Sequence, residues 1–354
     1  MSEFVDRPKR VRQGEELNVE KLQAFLRERL DIDGELTVSQ FPSGFSNLTY
    51  MLELGGREMV LRRPPFGANI KSAHDMRREY TVLDRLNPVY DKAPKPLLFT
   101  DDESIIGAQF YVMERVSGVI LRPTMPAAMH PEPPLMREIS ESLVDALVEL
   151  HAVDLEAAQL TDFGRPEGYV GRQISGWTRR WQKAMTDEVA AMDAAAAWLA
   201  QNQPPQTGVT LIHNDFKYDN FVLDSADWRN IIAVLDWEMA TVGDPLMDLG
   251  TSLGYWIESA DPPLIQMLNL SPTTLPGNLT RQEVVERYAA KSGRNVDNIV
   301  FYYAYGAFKL GVIVQQIYRR WKLGHTKDPR FAGLLEAVKA CGHIATQAIE
   351  TGRI

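Results

Sequence analysis

His213, Asp215, Lys217 and Asn220 share one short stretch, Leu211-Ile-His-Asn-Asp-Phe-Lys-Tyr-Asp-Asn220, and Asp236 follows the apolar run Ile231-Ile-Ala-Val-Leu235. Moving a phosphoryl group from ATP to a hydroxyl needs groups of these kinds: a carboxylate to orient the attacking oxygen, oxygen donors for magnesium, and a cation beside the migrating phosphate. Asp215 is the candidate base, because a carboxylate at hydrogen-bond distance both aims a hydroxyl and takes its proton late in transfer. Asn220 offers a neutral carbonyl oxygen and Asp236 a charged one, and magnesium prefers such hard donors. Lys217 follows closely enough for its ammonium to reach the γ-phosphate, and His213 braces the loop. An ordinary polar turn accounts for any one of these residues, since Asn and Asp favour turns. It does not account for the set.

The elements that must carry this loop can be read from hydrophobic periodicity and turn residues. Asn18 to Leu30 has helical spacing (Leu22, Phe25, Leu26, Leu30) behind Asn18 as an N-cap. Tyr50–Leu54 and Arg57–Leu61 flank Gly55-Gly56, a two-residue hairpin signal. Pairing Leu54 with Arg57 puts Tyr50, Leu52, Met59 and Leu61 on one face, and Thr49, Met51, Val60 and Arg62 on the other. Ala73–Leu86 reads as a helix and Phe110–Met113 as a strand. From about Pro133 helices dominate, with Leu135–His151, Trp177–Ala200 and Val296–Leu323 strongly periodic. The loop and the strand Ile231–Leu235 interrupt them as a small β insertion. Pro123 to Pro134 is proline-rich and reads as a connection. The expected division is a β-rich N-lobe over 1–116, a connector over 117–134 and a helical C-lobe over 135–354.

A chain of 354 residues, 45% of them apolar, can bury one large core or two adjoining ones. Acidic residues outnumber basic ones 47 to 38, for a net charge of −9, so bulk charge gives no nucleic-acid signal. The lone cysteine, Cys341, rules out an intrachain disulfide framework and a multi-cysteine metal cluster; it reads as a small apolar residue of the last helix. The charged segment Met1–Gly14 has no apolar core of the kind a secretory signal needs, and no run reaches the roughly 18 apolar residues of a membrane span. A soluble, cytoplasmic protein with no membrane or nucleic-acid partner is expected. Oligomeric state is not legible.

Asp215 and Asn220 have the spacing of the kinase catalytic loop H-x-D-x-x-x-x-N. Together with Leu235-Asp-Trp-Glu238 and Gly243-Asp-Pro-Leu-Met-Asp-Leu249, the stretch resembles the aminoglycoside phosphotransferase and choline kinase superfamily. That resemblance implies an α+β, protein-kinase-like two-lobed fold, with ATP and magnesium held in a cleft and a small-molecule hydroxyl as acceptor. By position it implies Asp215 as base, Asn220 and Asp236 as metal ligands, and Asp244 and Asp248 as structural carboxylates. Phe41-Pro-Ser-Gly-Phe-Ser-Asn-Leu48 resembles the family's nucleotide-covering loop, which nominates Ser43, Gly44, Phe45, Ser46 and Asn47. Met59-Val-Leu-Arg62 aligns with the kinase pattern V-A-I-K: Val60 would roof the adenine and Arg62 would stand where lysine is usual, paired with Glu79. Arginine there is not a conservative change, since its planar fork and its length both differ from lysine. Met113, Glu114 and Val116 resemble the hinge that reads the adenine edge through its backbone.

The acceptor side is basic and aromatic. Gly164-Arg-Pro-Glu-Gly-Tyr-Val-Gly-Arg-Gln-Ile-Ser-Gly-Trp-Thr-Arg-Arg-Trp181 supplies Tyr169, Arg172, Trp177, Arg180 and Trp181, and a second cluster from Tyr302 to Arg320 supplies Tyr305, Lys309 and Arg319. Aromatics with arginines suit an anionic, partly apolar acceptor better than a polyamine. Core tryptophans beside solvated arginines are the plainer reading of the same pattern. The Gly-Arg-Pro-Glu-Gly-Tyr segment resembles the branch of the family fused to acyl-CoA dehydrogenases, which implies a hydroxyacyl-CoA acceptor. The alternatives are a choline-like or aminoglycoside amine as acceptor, a nucleotide-binding regulatory pseudokinase, and a protein kinase. The last is disfavoured because no clear D-F-G or A-P-E motif is present.

Overall fold

The computed structural model describes residues 4–42, 47–66, 75–266, 268, 270–326 and 328–354. In chain order its elements begin with α1 (Val19–Leu30), β1 (Leu36–Gln40), β2 (Leu48–Leu54), β3 (Arg57–Arg63), α2 (Met76–Leu86), β4 (Pro96–Thr100) and β5 (Phe110–Glu114). Next come α3 (Pro133–His151), α4 (Tyr169–Ala184), α5 (Ala190–Gln201), β6 (Thr210–Ile212), β7 (Phe221–Leu223), β8 (Ile231–Val234) and β9 (Thr241–Gly243). The chain finishes with α6 (Pro245–Gly254), α7 (Pro263–Gln266), α8 (Arg281–Ser292), α9 (Ile299–Lys322) and α10 (Leu334–Thr351). Two compact units result: Met1–Ile120 with Glu156–Leu160 and Phe221–Ala240, and Leu121–Leu155 with Thr161–Asn220 and Thr241–Ile354. No described helix is long and apolar enough to cross a membrane.

The first unit is built on an antiparallel sheet of order β1-β2-β3-β5-β4 among the described residues. Gly55 and Gly56 take φ +58° and +78°, the left-handed pair that a two-residue turn between twisted strands requires. That turn sets the register Leu54↔Arg57, Met51↔Val60 and Thr49↔Arg62, as the sequence pattern predicts. Tyr50, Leu52, Met59 and Leu61 are wholly buried against Leu22 and Leu26 of α1 and Phe110 and Val112 of β5. Asn18 caps α1 by accepting from the Lys21 N–H at 3.0 Å. The second helix begins at Met76, with Asp75 as its cap accepting from the Arg78 N–H; Ala73, where the periodicity starts, lies outside the described residues. β7 and β8 form a separate ribbon of this unit.

The second unit is mainly helical, which gives the chain its α+β character. The expected single helix over 177–200 is two helices, α4 and α5, broken after Ala184. The break is fixed by α9: Gln315 Nε2 donates to the Ala184 carbonyl and the Thr186 hydroxyl, both at 2.9 Å, and Lys322 Nζ to Asp187 Oδ1 at 2.6 Å. These bonds satisfy a helix end that would otherwise leave carbonyls unpaired. α6 lies against α9 at van der Waals distance, because a glycine stands at the contact on each. A Cβ on Gly250 would come within 2.2 Å of the Tyr302 carbonyl oxygen, and one on Gly306 within 1.9 Å of the Gly250 oxygen.

Candidate active site

In the helical unit, β6 pairs with β9 and delivers His213 and Asn214 to a buried carboxylate. The His213 and Asn214 N–H groups donate to Asp248 Oδ2 and Oδ1, each at 2.7 Å. Asp248 projects from α6, and His151 of α3 meets it through Nε2 at 3.2 Å while its Nδ1 lies 2.8 Å from the Tyr288 hydroxyl of α8. Burial alone would raise the Asp248 pKa, but the His151 and His213 contacts outweigh it and hold the carboxyl below its usual range. Asp244 caps α6, accepting from the Leu246 N–H at 2.9 Å and from both donors of Thr207. Both aspartates therefore have structural partners, as the motif implies. Asn214 has φ +66°, a left-handed conformation that asparagine tolerates better than most residues. Its side chain meets the Tyr169 hydroxyl at 3.3 Å, and its carbonyl oxygen accepts from Lys309 Nζ at 3.0 Å.

Asp215 emerges from this clamp among four polar neighbours. Asn220 Nδ2 donates to the Asp215 carbonyl at 2.8 Å and to its Oδ2 at 3.0 Å. The amide nitrogen is thereby spent on Asp215, which directs the Asn220 amide oxygen the opposite way. Lys217 Nζ is 3.2 Å from Asp215 Oδ2 and 3.9 Å from Asp219 Oδ1, and it lies 5.0 Å above the Tyr255 ring. Burial and the Asp215 carboxylate raise the Tyr255 phenol well above its ordinary pKa. Tyr255 carries no motif signal, and only the fold reveals it beside Asp215.

In the sheet unit, Arg62 of β3 gathers three carboxylates. Its guanidinium is 3.0 Å from Asp236 Oδ1, 3.1 Å from Glu79 Oε1 and 3.9 Å from Glu238 Oε2. Burial opposes the charge, yet Asp236 and Glu79 prevail and raise the Arg62 pKa well above its ordinary value. Burial pushes the Glu79 carboxyl up against the pull of Arg62. Asp236 follows β8 in the left-handed region at φ +66°, and Asn47 Nδ2 donates to Glu238 Oε2 at 2.8 Å. An Arg62→Met protein is expected to lose about 3–5 kcal/mol of stability, because Glu79 would remain buried without its cation. Arg62→Lys is expected to recover only part of that, since one ammonium cannot span partners held by a planar fork. Urea unfolding curves of both variants read the difference.

The remaining nucleotide candidates divide. Val60 and Met113 are paired across β3 and β5, both buried. Glu114 donates its own N–H to the Lys95 carbonyl at 2.9 Å and pairs its carboxylate with Arg57. Val116 packs against Ile120, Val222 and Ala233. Ser43, Gly44, Phe45 and Ser46 lie outside the described residues.

The acceptor candidates divide too. The structure brings Tyr169, Trp177, Arg180, Tyr305 and Lys309 together. The Arg180 guanidinium is 4.6 Å and Lys309 Nζ 5.7 Å from the Trp177 ring centroid. Burial, with Tyr169 beside it, raises the Tyr305 phenol well above its usual range. Trp181 and Arg319 are not gathered with them, and Arg172 reaches the group only through its charge on Tyr169. Arg172 closes the turn before α4 on the Glu167 and Arg165 carbonyls. Trp181 donates its indole N–H to Asp193 of α5 at 2.7 Å and serves helix packing. Arg319 is exposed, about four turns beyond Tyr305 on α9.

A small antiparallel-sheet unit, a helical unit and a loop of this composition define a kinase-like fold. The chain belongs to the phosphotransferase enzyme family, APH, whose model matches residues 37–276. Acyl-CoA dehydrogenase family member 11 of Rattus norvegicus is 36% identical over 321 residues, which is 88% of this chain and 40% of that protein. The chain thus spans well under half the length of that curated relative. A Ralstonia eutropha protein classed with the aminoglycoside phosphotransferases superposes with a TM-score of 0.79 at 27% identity, covering 95% of this chain and 99% of that one. A thermostable mutant of APH(4)-Ia, in ternary complex with AMP-PNP and hygromycin B, superposes with a TM-score of 0.58 over 91% of this chain and 98% of that one; at 19% identity it speaks for the fold alone.

Proposed function

We propose that this protein transfers the terminal phosphoryl group of ATP to an alcohol on a small molecule, with magnesium, and that the alcohol belongs to an anionic, partly apolar acceptor of the hydroxyacyl-CoA class. The observation that carries the phosphotransfer reading is the Asp215 environment: a carboxylate aimed by Asn220 Nδ2, with the Lys217 ammonium 3.2 Å away. Asp215 would orient the acceptor hydroxyl and take its proton late in the transfer. Lys217, already beside Asp215, would stabilise charge on the transferring group. The amide oxygen of Asn220 and the carboxylate of Asp236 are hard donors that fit magnesium, which when bound would neutralise phosphate charge. Arg62 would hold Asp236 and Glu79 in place within the sheet unit. The nucleotide assignment draws on the AMP-PNP bound by the APH(4)-Ia neighbour.

For the acceptor, two cations flank the Trp177 ring, and a polycationic substrate would be repelled there. An acyl-CoA offers phosphates for the exposed Arg180 and an acyl chain for aromatic walls, and the relative's name, an acyl-CoA dehydrogenase family member, points the same way. The test is magnesium-dependent ATP consumption on a panel of hydroxyacyl-CoAs, aminoglycosides and choline. Turnover with the thioesters alone is expected. Turnover with only the cationic compounds would overturn the acceptor class, and ATP binding without consumption on any acceptor would favour a regulatory pseudokinase.

A further inference from the structure

Lys309 is a buried lysine on α9, 2% exposed, with no carboxylate at ion-pair distance among the described residues. A desolvated ammonium without a paired charge is costly, so its place calls for a physical reason. Its hydrogen bonds go to the Asn214 carbonyl oxygen at 3.0 Å and, more weakly, to the Thr251 hydroxyl at 3.5 Å. Asn214 is the residue before Asp215, and each of its polar groups is held by a different helix: the N–H by Asp248 of α6, the side chain by Tyr169 of α4, the carbonyl by Lys309. Holding both the N–H and the carbonyl fixes the peptide planes on either side of the left-handed Asn214. The second of those planes ends at the Asp215 nitrogen.

We infer that Lys309 is a positioning residue, whose ammonium locks the Asn214–Asp215 peptide and so sets the direction in which Asp215 presents its carboxylate. This rests on the reading of Asp215 as the base. Without Lys309 the Asn214 carbonyl loses a charged donor, the left-handed conformation loses one of its restraints, and Asp215 turns with it. The groups facing the ammonium are Asp215 and Asp248, which favour its charge, and Arg180 and Lys217, which oppose it. Burial lowers the Lys309 pKa to about 8. As pH rises through that value the bond to Asn214 ceases to be charge-assisted and weakens.

The experiment is segment-resolved hydrogen–deuterium exchange on the whole chain, comparing wild type with Lys309→Met and Lys309→Gln, alongside the pH profile of magnesium-dependent ATP consumption with water as acceptor. In Lys309→Met the amides of residues 213–218 are expected to exchange about tenfold faster or more, with α6 and α9 unchanged. Lys309→Gln, which can still donate to the carbonyl, is expected to keep most of the protection. Wild-type ATP consumption should fall as pH crosses about 8, and Lys309→Met should be slower and lack that fall. Unchanged loop exchange in Lys309→Met, or a rise spread equally over α6 and α9, would overturn the inference. If neither variant folds, wild type alone reads it: loop protection, corrected for intrinsic exchange, must drop across about pH 8, and a constant value refutes the proposal. Exchange reports the loop whether or not Asp215 is the base, so a failed Asp215 assignment leaves a distinct signature.

Discussion

Asp215→Ala is expected to consume ATP about 100- to 10,000-fold more slowly with the best acceptor, while nucleotide affinity stays close to that of wild type. The loss would fall on kcat, because on the proposed function the carboxylate acts on the acceptor hydroxyl during transfer. Asp215→Asn should be no milder. Its amide oxygen could take the place of Oδ2, which faces both Asn220 Nδ2 and the Lys217 ammonium, but an amide cannot take the proton of the acceptor hydroxyl. Single-turnover measurement on the preferred acceptor separates chemistry from product release. A wild-type rate in Asp215→Ala would move the proton to some other group and leave the loop without its central assignment.

The second large effect is on stability. Asp248→Ala is expected to destabilise the fold by about 3–5 kcal/mol, because two backbone N–H groups and His151 would lose a buried charged acceptor at once. The sign of the pH dependence follows from the depressed folded-state pKa. The contribution of Asp248 is complete above the usual aspartate value of 3.8 and is lost as pH falls through the lower folded value. Wild type should therefore lose stability in that acid window, and Asp248→Ala should lack this component of the loss. Urea midpoints taken from neutral to acid pH would show it. Parallel curves for the two proteins would mean that Asp248 carries no such linkage.

Local signals in the sequence carried a good deal of this. The Gly-Gly turn fixed a register in which Arg62 faces away from the core formed by Tyr50, Leu52, Met59 and Leu61, because side chains alternate strictly along a strand. The loop residues from His213 to Asn220 are close in sequence, so their grouping was visible before any fold. The break between α4 and α5 was not. Periodicity runs through Trp177–Ala200 without interruption, and what ends α4 is a pair of side chains, Gln315 and Lys322, from a distant helix. The partner of Lys309 was hidden for a related reason. Lys309 lies 95 residues from Asn214, in a helix whose composition reads as core, and a lone lysine there gives no hint of its partner. Arg172 shows the opposite case: a basic residue in an aromatic stretch reads as a ligand group, and the structure adds that it also closes its own turn.

The backbone-to-backbone meeting of Gly250 and Gly306 carries a consequence for how this chain could diversify. Asp248 and Lys309 stand one turn or less from that meeting, on opposite sides of it. A methyl group at either glycine would pry the two rods apart and shift both struts of the loop together. On the proposed function, acceptor preference would drift through Trp177, Arg180 and Tyr305, whereas the aim of Asp215 would be frozen by a joint that admits no side chain.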